Sequence, residues 1–299
     1  MNKPVSLSIL RSFPGRPTTM AGEQIAPRGN LMQGKRGLIM GVANDHSIAW
    51  GIAQTLASQG AQLAFTYQGE ALAKRVKPLA ERAGSSFLMP CDVEDIASVD
   101  AVFDAIKQKW GTMDFLVHAV AFSDKNELKG RYADSTRKNF IRTMLISCYA
   151  FTEAAKHASA LMPNGGAMVT LTYNGGLRAM PNYNVMGVAK AALEASVRYL
   201  AVDFGPQKIR VNAISAGPIR TLAGAGITDA RYMFAFQQKY SPLGRGVTLD
   251  ELGGAGLYLL SDLSTGVTGE IHFVDSGYNV IAMPQPDALK ASGAMENGE

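Results

Sequence analysis

Tyr183 and Lys190 stand seven residues apart in the stretch Pro181-Asn182-Tyr183-Asn184-Val185-Met186-Gly187-Val188-Ala189-Lys190. In an α-helix, seven steps of about 100° return both side chains to within roughly 20° of one face, with the ammonium about 10 Å further along. Pro181 suits the start of a helix, and Ala189 to Ala195 supplies good helix formers. A phenol with a cation two turns away has a chemical use. The positive charge favours the phenolate, lowers the Tyr183 pKa toward working pH and readies the hydroxyl to pass a proton to a substrate oxygen. Many long helices carry a Tyr and a Lys at this spacing by chance, so the elements around the pair must decide.

Those elements alternate. Lys35 to Val42 reads as a first buried strand, Ser47 to Ala57 as a helix ending by Gly60, and Gln62 to Tyr67 as a second strand. Together they form a βαβ unit whose turn holds Gly41, Ser47 and Gly51. It is either a pyrophosphate site at a helix start or an ordinary tight turn, because the glycines depart from the usual dinucleotide fingerprint. A third strand is expected at Ser86–Cys91, a helix at Ile96–Trp110 and a fourth, wholly apolar strand at Phe115–Ala121. His118 lies inside that apolar run and reads as a core histidine. Further on come a helix from about Thr136 to Leu161, a fifth strand at Ala167–Tyr173, the Tyr183 helix and a sixth strand at Ile209–Ile214. A helix near Asp250–Leu260 and a last strand at Glu270–Val274 complete the series. Strict alternation implies an α/β fold, a single doubly wound parallel sheet of Rossmann type with right-handed crossovers.

Composition narrows the function classes. Of a formal net charge of +4, residues 1–31 carry +3, so the basic character belongs to the N-terminal stretch and gives no argument for nucleic acid. No apolar run approaches the 18 or so residues that cross a bilayer, so no membrane partner is expected. Cys91 and Cys148 are far apart without metal-ligand spacing, which favours a reducing compartment and nominates no metal site. Residues 1–31 read as a flexible extension, as a transit peptide, or as sequence upstream of a working start at Met20 or Met32. Residues 32–283 form one domain, and residues 284–299 a solvated tail.

In such a sheet ligands bind beyond the carboxyl ends of the strands. Those ends are Gly41 to Ser47, Tyr67-Gln68, Asp92-Val93, Ala119 to Ser123, Tyr173 and Ala216 to Ile219. Gln68 takes the place where NAD sites often hold an acid for the adenosine ribose. Asp92 either bonds an adenine amino group or caps the next helix. The Ala216-Gly217-Pro218-Ile219-Arg220-Thr221 turn is able to present backbone groups to a nicotinamide amide. Leu222 to Gln238, apolar and glycine-hinged, is either a substrate lid or a plain core helix.

The Tyr-x6-Lys pair in this α/β order resembles the short-chain dehydrogenase/reductase family. Within it the chain is similar to the NADH-dependent enoyl-[acyl-carrier-protein] reductases of bacterial type II fatty-acid synthesis. The resemblance is carried by Gly41-Val42-Ala43 with Ser47-Ile48-Ala49-Trp50-Gly51, by Phe65-Thr66-Tyr67-Gln68, by Cys91-Asp92-Val93, by Tyr173-(x9)-Tyr183-(x6)-Lys190, and by Val211 to Thr221. It runs from about Gly34 to Met283. It implies that Tyr183, Tyr173 and Lys190 are catalytic. It implies an NADH site drawn from Gly41, Ser47, Ile48, Gln68, Asp92, Val93, Val120, Lys190, Ile219, Arg220, Thr221, Leu222 and Ala223. Substrate contacts fall to Ser123, Tyr173 and Tyr183, with a lid after the sixth strand. The implied partners are acyl carrier protein and other copies of the chain in a homotetramer, and the implied compartment is the cytoplasm. One departure is local: Ala119-Val120-Ala121 stands where relatives have Ser-Ile-Gly or similar. Diphenyl-ether inhibitors of this family pass close to that backbone, so a narrower pocket there is expected to weaken them.

Two other functions fit the same sequence. A carbonyl reductase of the superfamily would place a hydroxyl thirteen residues before the tyrosine, where this chain has Thr170; Tyr173, ten before Tyr183, favours enoyl reduction. A non-catalytic NAD(H)-binding regulator would have no use for an intact Tyr183/Lys190 pair.

Overall fold

The computed structural model describes residues 24–219 and 230–283. Seven parallel strands form one sheet in the order β3-β2-β1-β4-β5-β6-β7. They are β1 (Arg36–Met40), β2 (Gln62–Tyr67), β3 (Leu88–Pro90), β4 (Phe115–His118), β5 (Gly166–Thr172), β6 (Ile209–Ala216) and β7 (Ile271–Val274). The helices between them are α1 (Ile48–Ser58), α2 (Gly69–Arg82), α3 (Ile96–Trp110), α4 (Arg137–Met144), α5 (Ala150–Ala160), α6 (Asn184–Phe204), α7 (Ala230–Tyr240) and α8 (Leu249–Leu260). The expected doubly wound α/β fold is what forms. Strand order reverses between β1 and β4, and the crevice beyond their carboxyl ends is where such sheets bind ligands.

Each face of the sheet has its own apolar layer. One layer packs Val99, Phe103 and Ile106 of α3 with Phe151 of α5 and Leu193 and Val197 of α6. The other packs Trp50, Ile52 and Leu56 of α1 with Val76 of α2 and Leu252 and Leu259 of α8. Both sides of β4 and β1 are therefore dry, which explains why their sequences are apolar without alternation. His118 at the end of β4 is fully enclosed against the Phe151 ring, 5.5 Å between centroids. Burial, helped by the nearby Lys190 charge, pushes it down to about 3, so it is a neutral core residue.

Boundaries moved where local geometry overrides pattern. The helix expected from Thr136 to Leu161 is interrupted by a π-type turn at Leu145–Tyr149, which separates α4 from α5. Tyr183 precedes α6 as its N-cap instead of lying in its first turn, and its neighbours Asn182 and Asn184 have φ of 55° and 31°. The chain is tied to the α1 layer upstream of Met32: the Ile25 amide donates to the Arg82 carbonyl at 3.0 Å, and the Arg28 amide to that of Ser58 at 2.7 Å. No helix among the described residues is long and apolar enough to cross a membrane.

Candidate active site

Along the carboxyl edge of the sheet lies a cavity of about 670 Å³. Gly41, Ser47, Ile48 and Ala49 line one end, Ala119, Ala121 and Ser123 the middle, and Tyr173, Tyr183, Lys190 and Ile219 the other. Of the residues expected to bind or react, Gly41, Ser47, Ile48, Ser123, Tyr173, Tyr183, Lys190 and Ile219 are brought together in one space. Gln68, Asp92, Val93 and Val120 do not line it. Arg220, Thr221, Leu222 and Ala223 lie outside the described residues, as does the first part of the expected lid. The second part is α7, whose Met233 and Phe234 face the cavity.

At the β1–α1 end the loop is closed by one hydroxyl. Ser47 Oγ accepts the amides of Ala43 and Asn44 at 3.0 and 3.1 Å, which curls the loop around the first turn of α1. Helix starts leave amides without intrahelical partners and carry partial positive charge. Gly41 has a φ of 97°, and a Cβ there would collide with the Ala119 carbonyl, so β1 and β4 close up only because this residue is glycine. Gly51 plays a different part from a phosphate contact. Its missing Cβ lets α1 meet α8, since a Cβ would sit 2.8 Å from the Leu249 carbonyl oxygen.

The middle of the cavity is set by residues that sequence reasoning missed. Ser123 accepts a hydrogen bond from Thr143 Oγ1 at 2.9 Å and one from Asn139 Nδ2 at 3.2 Å. Ser147, on the π-type turn, both donates to the Phe122 carbonyl and accepts from its amide, each at 2.9 Å. Asn139, Thr143 and Ser147 are buried with hydrogen-bond partners, and no local sequence signal marked them.

At the chemical end, Tyr173 and Tyr183 meet edge to face, with ring centroids 5.2 Å apart at 73°. Lys190 is 7% exposed, and its ammonium donates to the Leu171 carbonyl at 2.8 Å. The expected electrostatics needs correction. Burial raises the Tyr183 hydroxyl well above the ordinary tyrosine range, with Tyr173 and Glu194 adding to the rise, so the phenol stays protonated. Burial also pushes Lys190 down to about 8. Desolvation of the phenolate outweighs any help from the cation. Thr170, the candidate carbonyl-polarising hydroxyl, is buried and donates to the His118 carbonyl at 3.1 Å. It is spent inside the sheet.

The adenosine side is open by contrast. Gln68, the N-cap of α2, donates from Nε2 to Asp92 Oδ2 at 3.1 Å, and Asp92 Oδ1 accepts the Glu94 amide at 3.0 Å. Asp92 does not cap α3. That role belongs to Asp95, whose carboxylate accepts the Ala97 amide. Among the described residues, no group of three or more His, Cys, Asp or Glu side chains is placed to hold a metal ion.

Known proteins resemble this chain in sequence and fold. A family model described as Enoyl-(Acyl carrier protein) reductase matches residues 41–279. The curated Enoyl-[acyl-carrier-protein] reductase [NADH] 2 of Rhizobium meliloti is 72% identical over 264 residues, covering 88% of this chain and 98% of its own. The solved enoyl-(acyl-carrier-protein) reductase of Anaplasma phagocytophilum in complex with NAD superposes with a TM-score of 0.84 at 58% identity, over 87% of this chain and 99% of that one. The Bacillus cereus enoyl-acyl carrier protein reductase, solved with NADP+ and an indole naphthyridinone, gives 0.83 at 47% identity, over 85% of this chain and all of that one. With its seven-stranded parallel sheet and this likeness over most of its length, this chain belongs to the enoyl-(acyl carrier protein) reductase family.

Proposed function

We propose that this chain is an NADH-dependent enoyl-[acyl-carrier-protein] reductase, reducing the double bond of a trans-2-enoyl thioester. The observation that carries this reading is the Tyr173–Tyr183 pair lining the cavity while the Thr170 hydroxyl is bound to the His118 carbonyl. The cavity joins the positive end of α1 to the Lys190 ammonium, which suits an extended anionic ligand rich in hydroxyl groups. The loop of Gly41, Ser47 and Ile48 would hold the pyrophosphate, Gln68 and Asp92 the adenosine, and Lys190 the nicotinamide ribose. When bound, NADH supplies the hydride for the β-carbon.

The protein's own part is to stabilise the charge that develops on the thioester oxygen. Tyr183, held neutral by its surroundings, donates a hydrogen bond to that oxygen as it becomes an enolate. A neutral donor in a dry corner is aimed before the charge appears and loses nothing to solvent reorganisation. Tyr173 walls the acyl chain beside it, and its own hydroxyl is likewise kept protonated by burial. Phe122, Met233 and Phe234 give the chain an apolar path. At the adenosine end, the Gln68–Asp92 pair and Glu70 offer no cation for a 2′-phosphate, so NADH is favoured over NADPH.

Acyl carrier protein is the proposed donor of the chain, the cytoplasm the proposed compartment, and a homotetramer the proposed assembly. The outward faces of α4 to α6 expose Ile141, Tyr149, Tyr199 and Val202, an apolar surface suited to other copies of the chain. The deciding experiment follows NADH oxidation with crotonyl or dodecenoyl thioester beside a panel of ketones. Oxidation with the thioesters is expected; reduction of ketones alone would replace this reading with a carbonyl reductase, and no turnover at all with a regulator.

A further inference from the structure

Helix α6 grips the end of β5 at two consecutive residues. Lys190 Nζ donates to the Leu171 carbonyl at 2.8 Å, and one turn later Glu194 Oε1 accepts the Thr172 hydroxyl at 2.6 Å. Glu194 is 3% exposed, a carboxyl group in a place where burial is costly. Burial pushes its pKa up, while the Thr172 hydrogen bond and the charges of Arg198 and Lys190 oppose that rise. The same oxygen lies against the next turn: a Cβ on Gly176 would stand 2.7 Å from Oε1 and 3.2 Å from the Ala191 amide nitrogen. The Gly176 amide closes that turn on the Tyr173 carbonyl at 2.8 Å. Gly175 completes the seat, since a Cβ on it would stand 2.5 Å from the Tyr183 ring and 3.2 Å from that of Tyr173.

Glu194 does not line the cavity, though its partner Thr172 does, and its charge bears on Tyr183 and Lys190. Together the pair holds the strand end from which Tyr173 departs. We infer that Glu194, through its hydrogen bond with Thr172, is a positioning residue that fixes the Tyr173–Gly176 turn and so the edge-to-face placement of both tyrosines. This rests on the enoyl-reductase reading above. An apolar residue of similar size would fill the same space but leave the Thr172 hydroxyl unpartnered and free to turn.

The test compares Glu194→Ala, Glu194→Gln, Thr172→Val and Thr172→Ser in the full chain. Turnover of crotonyl thioester, its KM, the NADH Kd from fluorescence and the unfolding midpoint are measured for each. A displacement of the tyrosines by a fraction of an ångström is expected to lower kcat about ten- to a hundredfold in Glu194→Ala and Thr172→Val. In Thr172→Val, measured at pH 7 where Lys190 carries its charge, the NADH Kd should stay within about twofold, because Lys190 keeps its own bond to Leu171 and Glu194 keeps its charge beside it. Removing both partners should cost no more than the worse single change, since one interaction is lost only once. Thr172→Ser keeps the hydroxyl and Glu194→Gln keeps an acceptor oxygen, so both should stay within about threefold of the parent kcat.

Full kcat in folded Thr172→Val or Glu194→Ala would overturn the proposal, as would multiplying losses in the double variant or, in Thr172→Val, a weakening of NADH equal to the loss in kcat. Should Glu194→Ala fail to fold, Thr172→Val against Thr172→Ser carries the same comparison. A parent inert toward crotonyl thioester would overturn the functional reading. An active parent with indifferent variants would overturn the positioning role alone.

Discussion

The two ends of the ligand edge are built in opposite ways. At the β5–α6 corner Tyr183, Lys190 and Glu194 are all buried, and Lys190 and Glu194 are each tied by a hydrogen bond to the end of β5. At the β2–β3 rim, Gln68 and Asp92 are not buried and bond mainly to each other and to one turn amide. Water sets the properties of the rim side chains, whereas the protein sets those of the corner. The corner can therefore hold a phenol neutral and a lysine near its titration point. The rim can only offer hydrogen bonds. Reaction and cofactor choice are expected to respond to substitution on very different scales.

The largest effect should come from the corner. Tyr183→Phe removes the donor to the developing oxyanion while leaving the ring, so turnover should fall about ten- to ten-thousandfold with the NADH Kd unchanged. Stopped-flow NADH oxidation beside equilibrium binding checks both halves. Lys190→Ala removes a charged hydrogen-bond partner and should weaken NADH binding about ten- to a hundredfold. The lysine also predicts a pH dependence. With its pKa pushed down to about 8, its charge is present below that pH and lost as pH rises through it. NADH affinity in the parent should thus decline above pH 8, and the decline should vanish in Lys190→Ala. An unchanged profile in the variant would assign the titration to another group.

Between the two ends, Ala121 lines the cavity. A methyl in a contact that cannot relax costs about 1–3 kcal/mol, or roughly five- to 150-fold in affinity. Ala121→Gly should bind a diphenyl ether more tightly in the presence of NAD+ with little change in substrate kinetics, read as an inhibition constant on both proteins. Equal constants would show that this Cβ does not wall the pocket. The smallest effect should be at the rim. Gln68→Ala loses one neutral hydrogen bond, about 0.5–1.5 kcal/mol, so NADH should weaken only about two- to twelvefold. A larger loss would mean that the rim is organised as tightly as the corner.

The fold was legible because every strand at its centre is an apolar run separated by a helix-period stretch, and both signals are local. Tyr183 and Lys190 were legible as types and spacing, and Tyr173 only through the family resemblance. Their electrostatics was not. Spacing placed the Lys190 charge two turns from the phenol and suggested a lowered pKa, but desolvation depends on what encloses the pair, which is assembled from β5, β6, α6 and the β4–α4 loop. Glu194, Asn139, Thr143 and Ser147 escaped for the same reason. Each is an ordinary polar residue on a helix until the tertiary fold places it against a strand end or loop. Thr170 shows the reverse: its position by counting matched a catalytic hydroxyl, and only the β4–β5 pairing shows that its hydroxyl is used by the His118 carbonyl.

Stabilising the enolate in the way proposed requires Tyr183 to work as a neutral donor, and tyrosine ionisation reads that state directly. Absorbance at about 295 nm, where phenolate absorbs, should be followed from pH 6 to 11 in the parent and in Tyr183→Phe, and the difference assigned to Tyr183. Burial predicts a difference that stays flat through pH 10, with ionisation only above the ordinary tyrosine range. A phenolate appearing in the parent below about pH 8, and missing from Tyr183→Phe, would contradict it and restore the cation-stabilised phenolate in its place.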